Sequence, residues 1–235
     1  MPASTAKSNF WAGFTQGLPF IFVIAPFGAL FGVVGTEAGL DIPQVMAFTV
    51  LVIAGAAQFT AVQLMTDNAP VILILAAALM VNLRMAMYSA ALVPYLGAAP
   101  LWQRALVAYL NVDQCYACAA ARYEARPGMT VRERVAFFLG VAAPVAPLWY
   151  VATWVGATLG ATVPEAWALD FALPITFIAL LGPLLRTVPN VAAALVSAAM
   201  ALVLRGLPPG IGLILAAACA LVTGALVEIW LERRA

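Results

Sequence analysis

The sequence predicts an all-α integral membrane protein of about eight transmembrane helices, some of them broken by proline or glycine, and three observations predict it. First, hydrophobic residues make up 65% of the 235-residue chain, charged residues only 9%, and the mean hydropathy is +1.03. A soluble domain carries roughly 25% charged residues, so this chain cannot cover its own surface in water and must use lipid as solvent. Second, apolar runs of the length that crosses hydrocarbon, about 20 residues, recur along the whole chain. Third, most basic residues gather on one side of those runs.

Between charges and Pro/Gly breaks the runs are 13–35, 43–65, 70–95, 102–122, 135–163, 171–185, 190–204 and 207–231. They fill residues 1–235 and leave no room for a separate soluble domain, so a single polytopic membrane domain is expected. The sixth and seventh runs are thin for a full crossing, at about 15 residues. With a cytoplasmic N-terminus and eight crossings, Lys7, Arg122, Arg126, Arg132, Arg134, Arg186, Arg233 and Arg234 lie inside. Arg104 and Arg205 lie outside, and Arg84 stays in the membrane. That distribution obeys the positive-inside bias. Seven helices, with one short run re-entrant, is the alternative, and it moves Arg233 and Arg234 outside.

Composition also excludes whole classes of function. A formal net charge of +1 offers no basic face for a nucleic acid. The chain has no histidine, which removes His-ligated metal sites and Ser-His-Asp triads together; neither a cofactor nor an enzyme activity is expected. Cys115 and Cys118, with two residues between them, lie in an apolar run with no second pair, so they read as small helix-packing residues rather than a redox or metal motif. A faint internal repeat is visible. The run 70–84 ends in Val-Asn-Leu-Arg and 189–205 in Leu-Val-Leu-Arg, while Gly28-x-x-x-Gly32 is echoed by Gly156-x-x-x-Gly160. Small residues four apart are also the general packing solution for membrane helices.

Ionisable groups inside a bilayer are costly and are functional candidates by default. Arg84 lies eleven residues before Tyr95, and Asp113 eleven residues after Trp102. At 1.5 Å per residue both sit about 16 Å below one surface, so the two charges are expected to meet near mid-membrane. A structural ion pair and a role in substrate or proton handling both remain open, and they are compatible. Around them lie Gln58, Gln63, Asn82, Tyr88, Asn111 and Gln114. Gln63, Asn111 and Gln114 read as ordinary interhelical hydrogen-bonding residues. Gln58 differs, because it lies in Ala54-Gly55-Ala56-Ala57-Gln58-Phe59, where small residues let a ligand or another backbone approach. A locally unwound helix there would present backbone N–H and C=O groups to the charged ends of a substrate. Pro19, Pro26, Pro144, Pro147, Pro174 and Pro183 fit the same expectation of broken helices.

Gly17-Leu18-Pro19, Pro26-Phe27-Gly28, Ala54 to Phe59 and Val81-Asn82-Leu83-Arg84, followed by 169–174 and 207–210, resemble the large subunit of the azaleucine-resistance (AzlC-like) branched-chain amino acid exporters. The resemblance runs in order over nearly the whole chain. It implies export of valine, leucine, isoleucine or methionine across the bacterial cytoplasmic (inner) membrane, driven by protons, with a small multi-spanning partner subunit. This chain departs from the family pattern at Met85, where members usually carry His, and at Gln114, where they usually carry Glu. For such a zwitterionic substrate, Arg84, Asn82 and the backbone near Gln58 would take the carboxylate. Asp113 would face the ammonium or carry the coupling proton, with Tyr88 beside them. Phe27, Phe59 and Phe177 would wall the side chain. The rival from another class is a non-transporting membrane assembly or receptor subunit, in which Arg84 and Asp113 are only structural. Homo-oligomerisation is expected where the small partner is missing.

The charge distribution predicts that both termini are cytoplasmic. Single cysteines at positions 3 and 235 should react with impermeant reagents in inside-out vesicles only, and labelling from outside at either one contradicts it.

Overall fold

The computed structural model describes residues 5–160, 185, 187–207 and 211–234, and every regular element among them is helical. The helices are α1 (Ala6–Gly17), α2 (Ile21–Glu37), α3 (Ile42–Leu51), α4 (Gly55–Thr66), α5 (Val71–Leu96), α6 (Leu101–Tyr109), α7 (Asp113–Ala125), α8 (Val131–Gly160), α9 (Val188–Val203) and α10 (Ile211–Glu232). The predicted run 171–185 lies outside the described residues except for Leu185. Several starts are written in the sequence as capping boxes, which satisfy orphan N–H groups reciprocally. Thr5 pairs with Ser8, Asp41 with Gln44, and Thr130 with Glu133.

Among the described residues, four stretches are long and apolar enough to cross a membrane: Ala6–Glu37, where one 3-10 turn at Leu18–Phe20 joins α1 to α2, then Val71–Leu96, Val131–Gly160 and Ile211–Glu232. The predicted runs 43–65 and 102–122 each appear as two short helices instead. The interruptions fall at residues 52–54 and 110–112, and neither contains a proline. Pro26, Pro94, Pro144 and Pro147 lie inside continuous helices. Of the prolines expected at breaks, Pro19 does sit in the 3-10 turn, Pro26, Pro144 and Pro147 do not mark one, and Pro174 and Pro183 lie outside the described residues; membrane helices tolerate proline when neighbours re-satisfy the freed backbone.

The chain divides into two compact units, Met1–Gln58 with Val81–Val163, and Phe59–Met80 with Pro164–Ala235. In the first, α8 is central and α1, α2, α3 and α7 pack on it. The contact with α1 and α2 is lined by glycine on both sides. A Cβ on Gly13 would strike the Phe137 carbonyl, one on Gly32 the Thr153 carbonyl, and one on Gly156 the Ala29 carbonyl. Residue numbers rise together across this contact, so α1–α2 and α8 run parallel. The two small-xxx-small motifs, which looked like copies in a repeat, are therefore the two sides of one interface.

The fourth predicted run does not cross. Arg84 meets Asp113, Tyr88 stacks on Tyr116 and Tyr95 packs on Tyr123, a nearly constant offset that makes α5 and α7 parallel neighbours. Both finish at the N-terminal end of α8, where Arg134 donates to the Tyr95 carbonyl (3.3 Å) and Tyr123 donates to the Arg134 carbonyl (2.8 Å). Between them, α6 must run the other way, and its last residue, Tyr109, reaches Tyr150 deep along α8. Helices α6 and α7 thus go in from one end and return to it. Arg104, in the first turn of α6, joins Lys7, Arg122, Arg126, Arg132 and Arg134 at that end, not at the opposite end where eight crossings would place it. A count of apolar residues cannot detect this, because 101–125 is long enough to span.

In the second unit, α9 and α10 pack antiparallel, with Gly212 beside Leu204 and Gly224 beside Ala193. Leu64, Ala69 and Ala77 form a small cluster with Ile74 and Ile214. The close α2–α8 approach generates a prediction. Gly156→Val should lower stability by more than about 3 kcal/mol, because a backbone carbonyl cannot swing aside as an overpacked side chain does. Gly128→Ala, where a Cβ meets nothing within 4 Å, should be neutral. Thermal unfolding in detergent measures both, and an unshifted Gly156→Val transition would show that the helices do not touch.

Candidate functional site

The two interruptions share one backbone pattern. In the first, Val52 N–H closes α3 on the Phe48 carbonyl (2.9 Å), Ala54 N–H turns back to the Val52 carbonyl (2.7 Å), and Gln58 N–H opens α4 on the Ala54 carbonyl (3.0 Å). In the second, Leu110 N–H closes α6 on Leu106, Val112 N–H turns back to Leu110, and Tyr116 N–H opens α7 on Val112. Each break therefore sets the carbonyl end of one short helix beside the N–H end of the next, which gives negative and positive partial charge within a few residues. The expected unwinding around Ala54–Phe59 is present, placed just before Gly55. The second break carries its own signal in hindsight: Asn111 and Asp113, weak helix formers that favour helix starts, sit in the middle of an apolar run.

One phenol joins the two breaks. Tyr109, at the end of α6, donates to the Val50 carbonyl in the last turn of α3, and its oxygen also lies 2.7 Å from the Tyr150 hydroxyl. Behind the first break, Gly55 lets the rings of Phe27 and Trp149 come against the backbone. The Trp149 indole N–H donates to the Thr49 hydroxyl (2.7 Å), which also faces Thr153 at 3.4 Å. Sequence reasoning missed Tyr109, Tyr150, Thr49, Trp149 and Thr153, which look like ordinary residues of apolar helices until the breaks are located.

Of the residues singled out from sequence, the structure brings Arg84, Asp113 and Tyr88 together. Arg84 Nη1 lies 2.9 Å from Asp113 Oδ2, and the two side chains remain 34% and 42% exposed. Asp113 is the first residue of α7, where a carboxylate is favoured by the helix dipole. Tyr88, one turn beyond Arg84, lies beside the Asp113 carboxylate with its ring stacked on Tyr116 at 4.2 Å. Asn111 sits inside the second break, and its amide donates to the Ser89 hydroxyl at 3.3 Å. Among the described residues, Arg84 Nε, Asp113 Oδ1, Asn82 Oδ1 and Asn111 Oδ1 are buried with no hydrogen-bond partner.

Gln58, in the first turn of α4, is fully buried, and neither atom of its amide has a partner among the described residues. Phe27 lies at the first break, as stated. Phe59 is fully buried on α4 within the second unit, and Phe177 lies outside the described residues.

A family model described as AzlC protein matches residues 19–163, a stretch that holds both breaks, the ion pair and Gln58. No curated protein and no solved structure matches the chain. The extent of that match carries the assignment: the chain belongs to the AzlC protein family.

Proposed function

We propose that the chain is a secondary transporter, the large subunit of a branched-chain amino acid exporter of the bacterial inner membrane, with cytoplasmic termini and a small multi-spanning partner subunit. Family membership suggests a transport-related membrane function. The observation that carries the proposal is Gln58. A buried polar group left without a hydrogen bond costs about 1–3 kcal/mol, and an apolar side chain of similar size would avoid that cost. An amide kept at the mouth of an interrupted helix is suited to a ligand's charged end.

A branched-chain amino acid needs a donor set for its carboxylate, an acceptor for its ammonium and an apolar wall. The N–H ends of α4 and α7, Gln58, Asn82 and the free edge of Arg84 offer the first. Asp113 Oδ1 and the carbonyl ends of α3 and α6 offer the second, and Phe27 at the first break the third. Arg84 already binds Asp113, so a bound carboxylate would share the guanidinium with it, and protonation of Asp113 would release Arg84 to the substrate. That exchange is a route to proton coupling. With Met85 and Gln114 where relatives carry His and Glu, the coupling proton falls to Asp113. Tyr88 is placed to hydrogen-bond either form of the acid.

The 2.9 Å ion pair also favours a second reading, a purely structural pair in a non-transporting assembly subunit. Counterflow of labelled leucine, valine, isoleucine and methionine in proteoliposomes, with and without the small partner, separates the two. Arg84→Met and Asp113→Leu should each abolish flux and lower stability, while the double variant should fold and still fail to transport. Arg84→Lys should raise the half-saturating concentration about 10- to 100-fold, because an ammonium cannot reproduce a guanidinium fork. Wild-type flux in the folded double variant would sink the role of both residues.

Gln58→Leu makes an independent check. Unfolding temperature should stay level or rise, since an unpartnered amide is replaced by a methyl pair, and counterflow should be lost. Undiminished counterflow would show that the amide holds no substrate.

A further inference from the structure

The second broken helix returns to the basic end of α8, and the ends of the other elements decide what the first one does. Thr36 and Val33, near the end of α2, lie against Gly160 at the C-terminal end of α8. Tyr95, at the end of α5, lies against Arg134 at the N-terminal end. Between Glu37 and Tyr95 the chain therefore changes sides, which takes an odd number of crossings. Helix α5 is 26 residues long and supplies one. The α3–α4 pair must then supply none. Its first half descends from the Glu37 side, with Val45 on Gly35, Phe48 against Phe31 and Thr49 beside Trp149. It breaks at the depth of Trp149 and Tyr150, and Gly55 starts α4 against Trp149. Parity sends α4 back to the side from which α3 came.

We propose that α3–α4 and α6–α7 are re-entrant broken helices entering from opposite faces, with their tips joined by the Tyr109 bond to the Val50 carbonyl. The internal repeat is then an inverted one, carried by two interruptions with the same hydrogen-bond pattern rather than by the glycine motifs. In this arrangement α3–α4 closes the site toward the outside and α6–α7 closes it toward the cytoplasm. Tyr109 is the positioning residue that makes one closure sense the other. Its donor bond covers a carbonyl that α3 leaves open at its last turn, so any withdrawal of the α6 tip uncovers that carbonyl. The gating role rests on the transport function proposed above; the sidedness of the two helices does not.

Sidedness is therefore tested without transport. Asp67→Cys lies in the loop after α4 and Ala98→Cys in the loop after α5. Each is labelled with an impermeant maleimide in right-side-out and inside-out vesicles, in a background with Cys115, Cys118 and Cys219 replaced by Ala. Position 67 should react only from outside and position 98 only from the cytoplasm. Eight crossings would give the reverse at both, and any pattern other than the expected one overturns the proposal. Where that background fails to fold, Asp67→Lys and Ala98→Lys with an impermeant amine reagent answer the same question, with Lys7, the chain's sole lysine, marking the cytoplasmic face. For Tyr109, the reactivity of Ile53→Cys, in the first break, is compared between native Tyr109 and Tyr109→Phe. A rise of about tenfold or more with unchanged thermal unfolding is expected, while Tyr150→Phe, which spares the bond to Val50, should leave it unmoved. Equal reactivity in all three would remove Tyr109 from its positioning role.

Discussion

A backbone group freed inside hydrocarbon costs several kcal/mol unless something other than lipid satisfies it, and the rest of the first unit depends on meeting that requirement at two interruptions. At the first interruption the backbone lies against the seam of α2 and α8, and Gly55 admits the rings of Phe27 and Trp149 directly against it. Along that seam α2 and α8 approach until their backbones touch, which glycine on both faces allows. Trp149 then serves twice, as a wall against the break and as a donor to Thr49 on the helix that the break ends. The hydroxyl of Tyr109 covers a carbonyl of that same helix. Packing and the local chemistry of the breaks are one problem with one solution.

The ion pair follows from the same geometry. Arg84 stands near the middle of α5, flanked by the exposed apolar side chains of Leu83 and Met87. Asp113 begins α7 because the chain has just turned. Since α5 and α7 run parallel, Arg84 and Asp113 reach the same depth from the same end. A pair left a third or more accessible at this depth is poorly served by lipid. Intramembrane charges face a polar cavity or another protein surface, a need that the proposed transport path or partner subunit would meet. The pair's polarity, together with the unpartnered amide of Gln58, distinguishes this part of the fold from the exposed apolar side chains that α9 and α10 present, among them Leu195, Leu202, Leu221 and Leu226.

Much of the fold was legible in the sequence. Composition determines the solvent, and apolar run lengths locate the long helices. The meeting of Arg84 and Asp113 was legible too, although for an incomplete reason: equal spacing from two run ends places them at one depth whichever way α7 points. Direction was not legible. Residues 102–122 are long enough for a crossing, and length is blind to a three-residue interruption; the polar content of Arg104, Asn111, Asp113, Gln114 and Arg122 was the sign against it. Pro26, Pro144 and Pro147 drew attention away from the breaks at 52–54 and 110–112, because a proline inside a packed membrane helix needs only local compensation, whereas Asn111 and Asp113 mark a genuine helix start. Tyr109 and Trp149 were invisible because their roles exist only relative to carbonyls and rings that the fold brings to them.

The most direct measurement of whether the interrupted helices form an amino acid site is equilibrium binding of labelled leucine to the purified protein, competed by analogues that each lack one charged end. Saturable binding displaced by valine and isoleucine, but neither by leucine amide nor by isovalerate, is the predicted result, because the carboxylate and the ammonium have separate partners at the two breaks. No saturable binding, or displacement by isovalerate as effective as by valine, would contradict it.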